Sequence, residues 1–173
     1  MWVTLSSHAE TYYYYLHIAS NKPGFFMSIS FRCDCPITSA LDVLGDRWML
    51  VIVKQMLIED AMTFKDFVES PEAIATNILT SKLRVLEEHG IVRKMKLPNN
   101  RKTNLYVLTE SGLALTTLIV ELASWSDQHL RDLNPAIVDN EAVEFLRRDK
   151  QAFARKLQQD YTDKLKLRGI AVA

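Results

Sequence analysis

Four side chains in the segment 76–109 are suited to reading an anionic polymer. Asn77, Thr80, Ser81 and Arg84 recur at three- and four-residue spacing, so a helix would hold them on one face. Arginine forks onto the O6 and N7 acceptors of guanine, and asparagine pairs with the adenine edge. Thr76 opens the same face. Lys82 lies at its flank, where a lysine suits a phosphate better than a base. Further along, Arg93, Lys94, Lys96, Arg101 and Lys102 surround a polar turn made by Pro98, Asn99 and Asn100. Across 76–109 seven basic side chains stand against Glu87 and Glu88, a local charge of +5 in a chain whose total is zero. Any surface helix needs a polar face. A cationic turn beside that face is what points to nucleic acid, with phosphate contacts setting position and base contacts setting sequence preference.

The elements that must carry these residues follow from apolar spacing. With Leu79 as reference, Leu83 and Leu86 fall within about 40° on a helical wheel and define a buried stripe. Asn77, Ser81 and Arg84 lie opposite, and Glu88 shares the outer face further along, where it would point out of a groove. The helix is expected over 76–89, closed by Gly90. Strands are expected over 91–97 and 103–108, joined by the polar turn. Ahead of them, Pro36 and Gly45 bound a short helix with Leu41 and Leu44 on one face. Asp46 is placed to cap a second helix that is apolar almost all round, and Thr63 with Asp66 spells a capping box before a third. Thr109 and Glu110 begin a long helix with Leu115, Leu118, Leu122 and Trp125 as a helix-packing stripe. A final amphipathic helix runs over about 140–167 through Leu146, Phe153, Leu157, Tyr161 and Leu165.

Composition limits the other possibilities. The 173 residues suit one domain with extensions, and 21 basic against 21 acidic residues argue against a wholly electrostatic DNA binder. Charge is segregated instead, since residues 35–75 hold three basic and seven acidic side chains, a net of −4. Such a chain could turn one face to DNA and repel it from others. No apolar run is long enough to span a bilayer, and no basic stretch precedes an apolar one at the start, so neither membrane nor secretory signal is expected.

The two cysteines, Cys33 and Cys35, are too close to staple a fold, so a reducing cytoplasm is the simplest compartment. Cys35 could serve redox chemistry or pack as a half-buried thiol at a helix start. His8, His17, His89 and His129 offer no ligand pair for a metal. No cofactor is expected, and no catalytic constellation is present. Residues 1–32 read as an N-terminal extension with little fixed structure, with Met27 as the native start. Residues 33–133 read as the DNA-binding domain, and 134–173 as a helical extension whose apolar face would extend a dimer interface.

In this order and spacing the residues resemble the HxlR-type winged helix-turn-helix regulators, relatives of the MarR group. The resemblance runs from Cys35-Pro36 through Ala40-Leu41-Asp42-Val43-Leu44-Gly45-Asp46-Arg47-Trp48 and Phe64-Lys65-Asp66-Phe67. It continues through Ile74 and Glu87-Glu88-His89-Gly90-Ile91-Val92 to Tyr106-Val107-Leu108-Thr109-Glu110-Ser111-Gly112 and Trp125. It implies a mainly α fold with a small β-hairpin wing (α+β), flanked by N- and C-terminal dimerisation helices. It also implies a homodimer on a pseudo-palindromic operator in double-stranded DNA, with the helix 76–89 in the major groove and the wing 93–104 on the backbone or in the minor groove. Some members sense electrophiles or oxidants through the cysteine at the position of Cys35, which makes a small-molecule or oxidant effector an expectation here. Ala75 departs from the pattern where the family often has a capping serine, and Glu59-Asp60-Ala61-Met62 lacks its usual basic character. The competing reading is a winged-helix module that binds protein and never touches DNA. Such modules lose the positive charge that this chain keeps.

Overall fold

The computed structural model describes residues 31–97 and 100–170; for residues 97, 100 and 101 the description covers the backbone alone. The expected start at Met27 and the turn residues Pro98 and Asn99 therefore lie outside the described residues. Arg32 is described, and it pairs with Asp42 at 2.8 Å.

Helix α1 (Pro36–Leu44) begins at a proline whose fixed φ suits the first helical position. Helix α2 (Arg47–Ile58) is capped by Asp46, whose Oδ1 accepts the Trp48 N–H at 2.9 Å. Met49, Ile52, Val53, Met56 and Leu57 of α2 form the centre of the core. The Thr63–Asp66 capping box is present: the Thr63 N–H donates to Asp66 at 2.8 Å and starts α3 (Phe64–Val68). Ala75 gives α4 (Thr76–Glu88) no side-chain cap, and the helix starts at Thr76.

The turn between α3 and α4 contains no glycine, yet Ala73 adopts a left-handed φ of 51°. Side chains hold it there. The buried amide of Gln55 donates to Ser70 Oγ at 2.6 Å and to Glu72 at 2.8 Å, while Lys54 pairs with both Glu59 and Glu72. Partial burial pushes the Glu72 carboxyl up, but hydrogen bonds from Lys54 and Gln55 outweigh it and hold it at about 2, below its ordinary 4.5. A depressed carboxylate stabilises the fold above its unfolded value and loses that contribution as pH falls through its folded one. Urea unfolding of the wild type should therefore weaken between pH 4.5 and 2 more steeply than that of Glu72→Gln. Parallel curves would refute the assignment.

Gly90 closes α4 with φ 65°, and the Ile91 N–H turns back to the Leu86 carbonyl at 2.9 Å. Strands β1 (Val92–Leu97) and β2 (Asn100–Leu108) pair antiparallel from Val92↔Leu108 to Lys96↔Asn104, with a register shift after Lys96. The other edge of β2 meets residues 62 and 63, with the Tyr106 N–H on the Met62 carbonyl at 2.8 Å. This pairing ties the hairpin to the entry of α3.

The long helix expected from Thr109 is two helices, α5 (Glu110–Ala114) and α6 (Thr116–His129). At the break the Thr116 hydroxyl donates to the Leu113 carbonyl at 2.6 Å, a local bond that competes with the regular ladder. A Cβ at Gly112 would strike the Ile91 carbonyl, so glycine there lets α5 lie directly on the end of α4 and the start of β1.

The final helix is also two, α7 (Glu141–Arg148) and α8 (Lys150–Leu167), because Asp149 takes an extended conformation and caps α8 through the Ala152 N–H at 2.8 Å. Asp127 of α6 anchors α7 through Arg147 and the following loop through Arg131. The apolar face expected to widen a dimer interface is instead covered by this chain's own core. Tyr161 and Leu165 are fully buried there, and Phe153 and Leu157 pack on Val120, Leu146 and Ala154. The Tyr161 hydroxyl accepts the Leu108 N–H at 2.7 Å, at the root of the hairpin. Burial, opposed by that bond, raises the phenol to about 12, so it stays protonated.

Candidate nucleic-acid interface

Helix α4 presents two faces with opposite fates. Leu79, Leu83 and Leu86 are sealed in the core, while Thr76, Asn77, Thr80, Ser81 and Arg84 are exposed together on the outside. The Thr80 hydroxyl donates to the Thr76 carbonyl at 2.7 Å, leaving its oxygen free to accept. Nothing in the core competes for the Asn77 and Ser81 side chains, which point away from it.

The hairpin and α4 share a surface. Thr76 at the start of α4, Thr63 and Lys65 around the start of α3, and Lys102, Thr103 and Asn104 of β2 line one open groove of about 610 Å³. Strand alternation then sorts the cations. Lys94 and Lys96 share the face of Tyr106 and Asn104: the Lys94 ammonium lies 5.8 Å from the Tyr106 ring centre, and Lys96 reaches Asn104 at 2.6 Å. Arg93 falls on the alternate face with Met95, half-buried on the side where its charge acts on Tyr161. It does not join Lys94 and Lys96. Asn99, and the side chains of Asn100 and Arg101, lie outside the described residues.

Lys82 has a different local role from the one its spacing suggests. It pairs with Asp46 at 3.0 Å and is only 23% exposed, tethering α4 to the cap of α2. The hydrogen bond from Lys82 is the main reason that the Asp46 carboxyl sits below its ordinary range. Arg84 is held by Glu88, Nε to Oε1 at 2.6 Å. That pair was legible in principle, as opposite charges four residues apart. Lys65, Thr103 and Asn104 are groove residues that the sequence reading passed over. Only the antiparallel register, which brings 103 and 104 back beside α3, reveals them.

Two further surfaces have no partner among the described residues. On α6, Leu118, Leu122 and Trp125 are exposed, whereas Leu115 turns inward onto the core. On α1, Ile37 and Leu41 are exposed. Cys35 at the N-cap of α1 is exposed too, which removes the half-buried packing alternative. The Thr38 amide, then the Thr38 hydroxyl and the Ile37 amide, hold its thiol below the ordinary range. Among the described residues no group of side chains has the makeup of a metal site, and no helix is long and apolar enough to cross a membrane.

A model of the HxlR-like helix-turn-helix family matches residues 43–134, which takes in α2, α4, the hairpin and α6. The chain belongs to that family. Among its relatives, the HTH-type transcriptional regulator YodB of Bacillus subtilis (strain 168) is 35% identical over 95 residues, covering 54% of this chain and 84% of YodB. The solved structure of PA1607 superposes with a TM-score of 0.52 at 34% identity, over 57% of this chain and 67% of that one. The quinone-bound YodB structure aligns at 33% identity over 54% of this chain and 98% of its own, with a TM-score of 0.45. The fold is thus a winged helix-turn-helix from a family of transcriptional regulators, with α4 as its second helix and β1–β2 as its wing. The family match ends before α7 and α8.

Proposed function

We propose that the protein is a sequence-specific, dimeric DNA-binding regulator of transcription acting on a pseudo-palindromic operator. The observation that carries this reading is the groove shared by Thr76 of α4 and Lys102 of the wing, beside the exposed Asn77, Thr80, Ser81 and Arg84. Helix α4 enters the major groove. Arg84 and Asn77 meet base edges, while Lys94, Arg101 and Lys102, with Asn99 and Asn100 at the turn, follow the phosphates. Replacing Arg84 by alanine should cost about 1–3 kcal/mol and relax preference at one base pair. Lys102→Ala should weaken all sequences alike and lower the salt slope by about one. Equal losses on operator and random duplex for both variants would contradict these roles.

The dimer forms through the exposed residues of α6 and α1. On this reading the protein works in the cytoplasm beside the genome, without cofactor or enzymatic step. Cys35 is the sensor: its thiolate adds to an electron-poor carbon of a quinone-like electrophile, as suits an exposed thiol with a lowered pKa. The relative YodB, solved with quinone bound, supports that class of effector. Cys35→Ser should abolish quinone-dependent loss of operator binding in a gel-shift titration, and Cys33→Ser should keep it. The reverse pattern would move the sensor to Cys33.

A further inference from the structure

The acid at the end of α4 is poorly placed against the charge of its helix terminus. Glu88 is the last residue of the helix, where the carbonyl ends carry partial negative charge and a carboxylate is disfavoured. Its pairing with Arg84 runs basic-to-acidic along the chain, the weaker order for an i,i+4 pair. It also sits on the side of α4 that faces a polyanion under the regulator reading. Two unfavourable placements and a pair in the weaker order coincide on one residue, and among the described residues its one specific contact is with the arginine best suited to read a base.

The geometry of that contact is informative. Glu88 Oε1 takes the Arg84 Nε–H at 2.6 Å, while the arginine side chain is 72% exposed. Holding a guanidinium at Nε restricts its rotation and leaves one hydrogen on each of Nη1 and Nη2 as a parallel pair on the far edge. Among the described residues no other acceptor holds them. Two parallel N–H groups are what guanine O6 and N7 accept.

Building on that regulator reading, we infer that Glu88 is a positioning residue for base recognition. It orients Arg84 toward a guanine and touches no base itself. Its negative charge also lowers affinity for DNA of any sequence, so it acts on binding by two routes.

Two substitutions separate these routes. Glu88→Ala removes both acceptor and charge, whereas Glu88→Gln keeps an acceptor for Nε–H and removes only the charge. Binding of full-length variants to an operator and its single-base-pair replacements is read by fluorescence anisotropy at fixed salt. Glu88→Ala should lower discrimination about two- to tenfold, at the same base pair that Arg84→Ala relaxes. Glu88→Gln should recover most of that discrimination, and both should bind random duplex more tightly than wild type. In an Arg84→Ala background, Glu88→Ala should change base preference no further. Unchanged preference at the Arg84 base pair in Glu88→Ala overturns the inference, as does a change at a different base pair, which would make Glu88 a reader in its own right. A wild-type chain with no base preference overturns the regulator reading, and the role of Glu88 with it.

Discussion

Leu122→Asp is expected to yield a folded monomer that has lost operator binding by about two to four orders of magnitude. The proposed α6 contact makes the second half-site an intramolecular event, and losing that linkage removes an effective-concentration gain of about 10²–10⁴. Leu122 is 44% exposed and belongs to neither hydrophobic core cluster, so the monomer's core does not depend on it. An aspartate there would be buried opposite its symmetry mate, desolvated and facing a like charge. Sedimentation velocity measures the assembly state, circular dichroism checks the fold, and gel shift reads the operator. A variant that still sediments as a dimer would remove α6 from the interface.

The second large effect concerns stability. Tyr161→Ala should destabilise the fold by about 3–5 kcal/mol through lost packing, since its side chain is fully buried in the main hydrophobic core. It also strands the Leu108 N–H, adding about 1 kcal/mol or more. Small domains carry about 5–15 kcal/mol in total, so the variant would be close to unfolding at ordinary temperature. Tyr161→Phe separates the two contributions by keeping the ring and deleting the acceptor, at about 1–3 kcal/mol. Urea denaturation gives both numbers. A loss under 1 kcal/mol for alanine would show that the segment after residue 134 is an appendage to the core and not part of it.

Local chemistry was the most legible part of this sequence. Capping by Asp46 and by the Thr63–Asp66 box, the Leu79–Leu83–Leu86 stripe and the hairpin all depend on neighbours within a turn or two. The break at Asp149 was written just as locally, as an aspartate followed by a helix, but the apolar stripe runs through it and masks it. The break at Leu115 depends on a threonine hydroxyl choosing a carbonyl, which residue type alone does not decide. Direction was harder than face. Strand alternation assigns Arg93 and Lys94 to opposite sides, but only the packed core tells which side is left open. Lys82 looked like a phosphate contact because its partner, Asp46, lies on another helix. The tail shows the same limit, since an amphipathic helix declares that it must be covered and not by what.

The Gln55–Ser70–Glu72–Lys54 clamp has a consequence for how this scaffold can diversify. All four residues lie before Thr76, and within α4 the seat is made by Leu79, Lys82, Leu83 and Leu86, so the residues that seat the helix and its outward letters occupy separate positions. Asn77, Thr80, Ser81 and Arg84 can be rewritten without altering the angle at which the helix is presented. A chimera that transplants positions 77, 80, 81 and 84 alone should therefore inherit the donor's sequence preference, whereas one that also replaces residues 70–72 must bring a matching 54 and 55 to keep its aim.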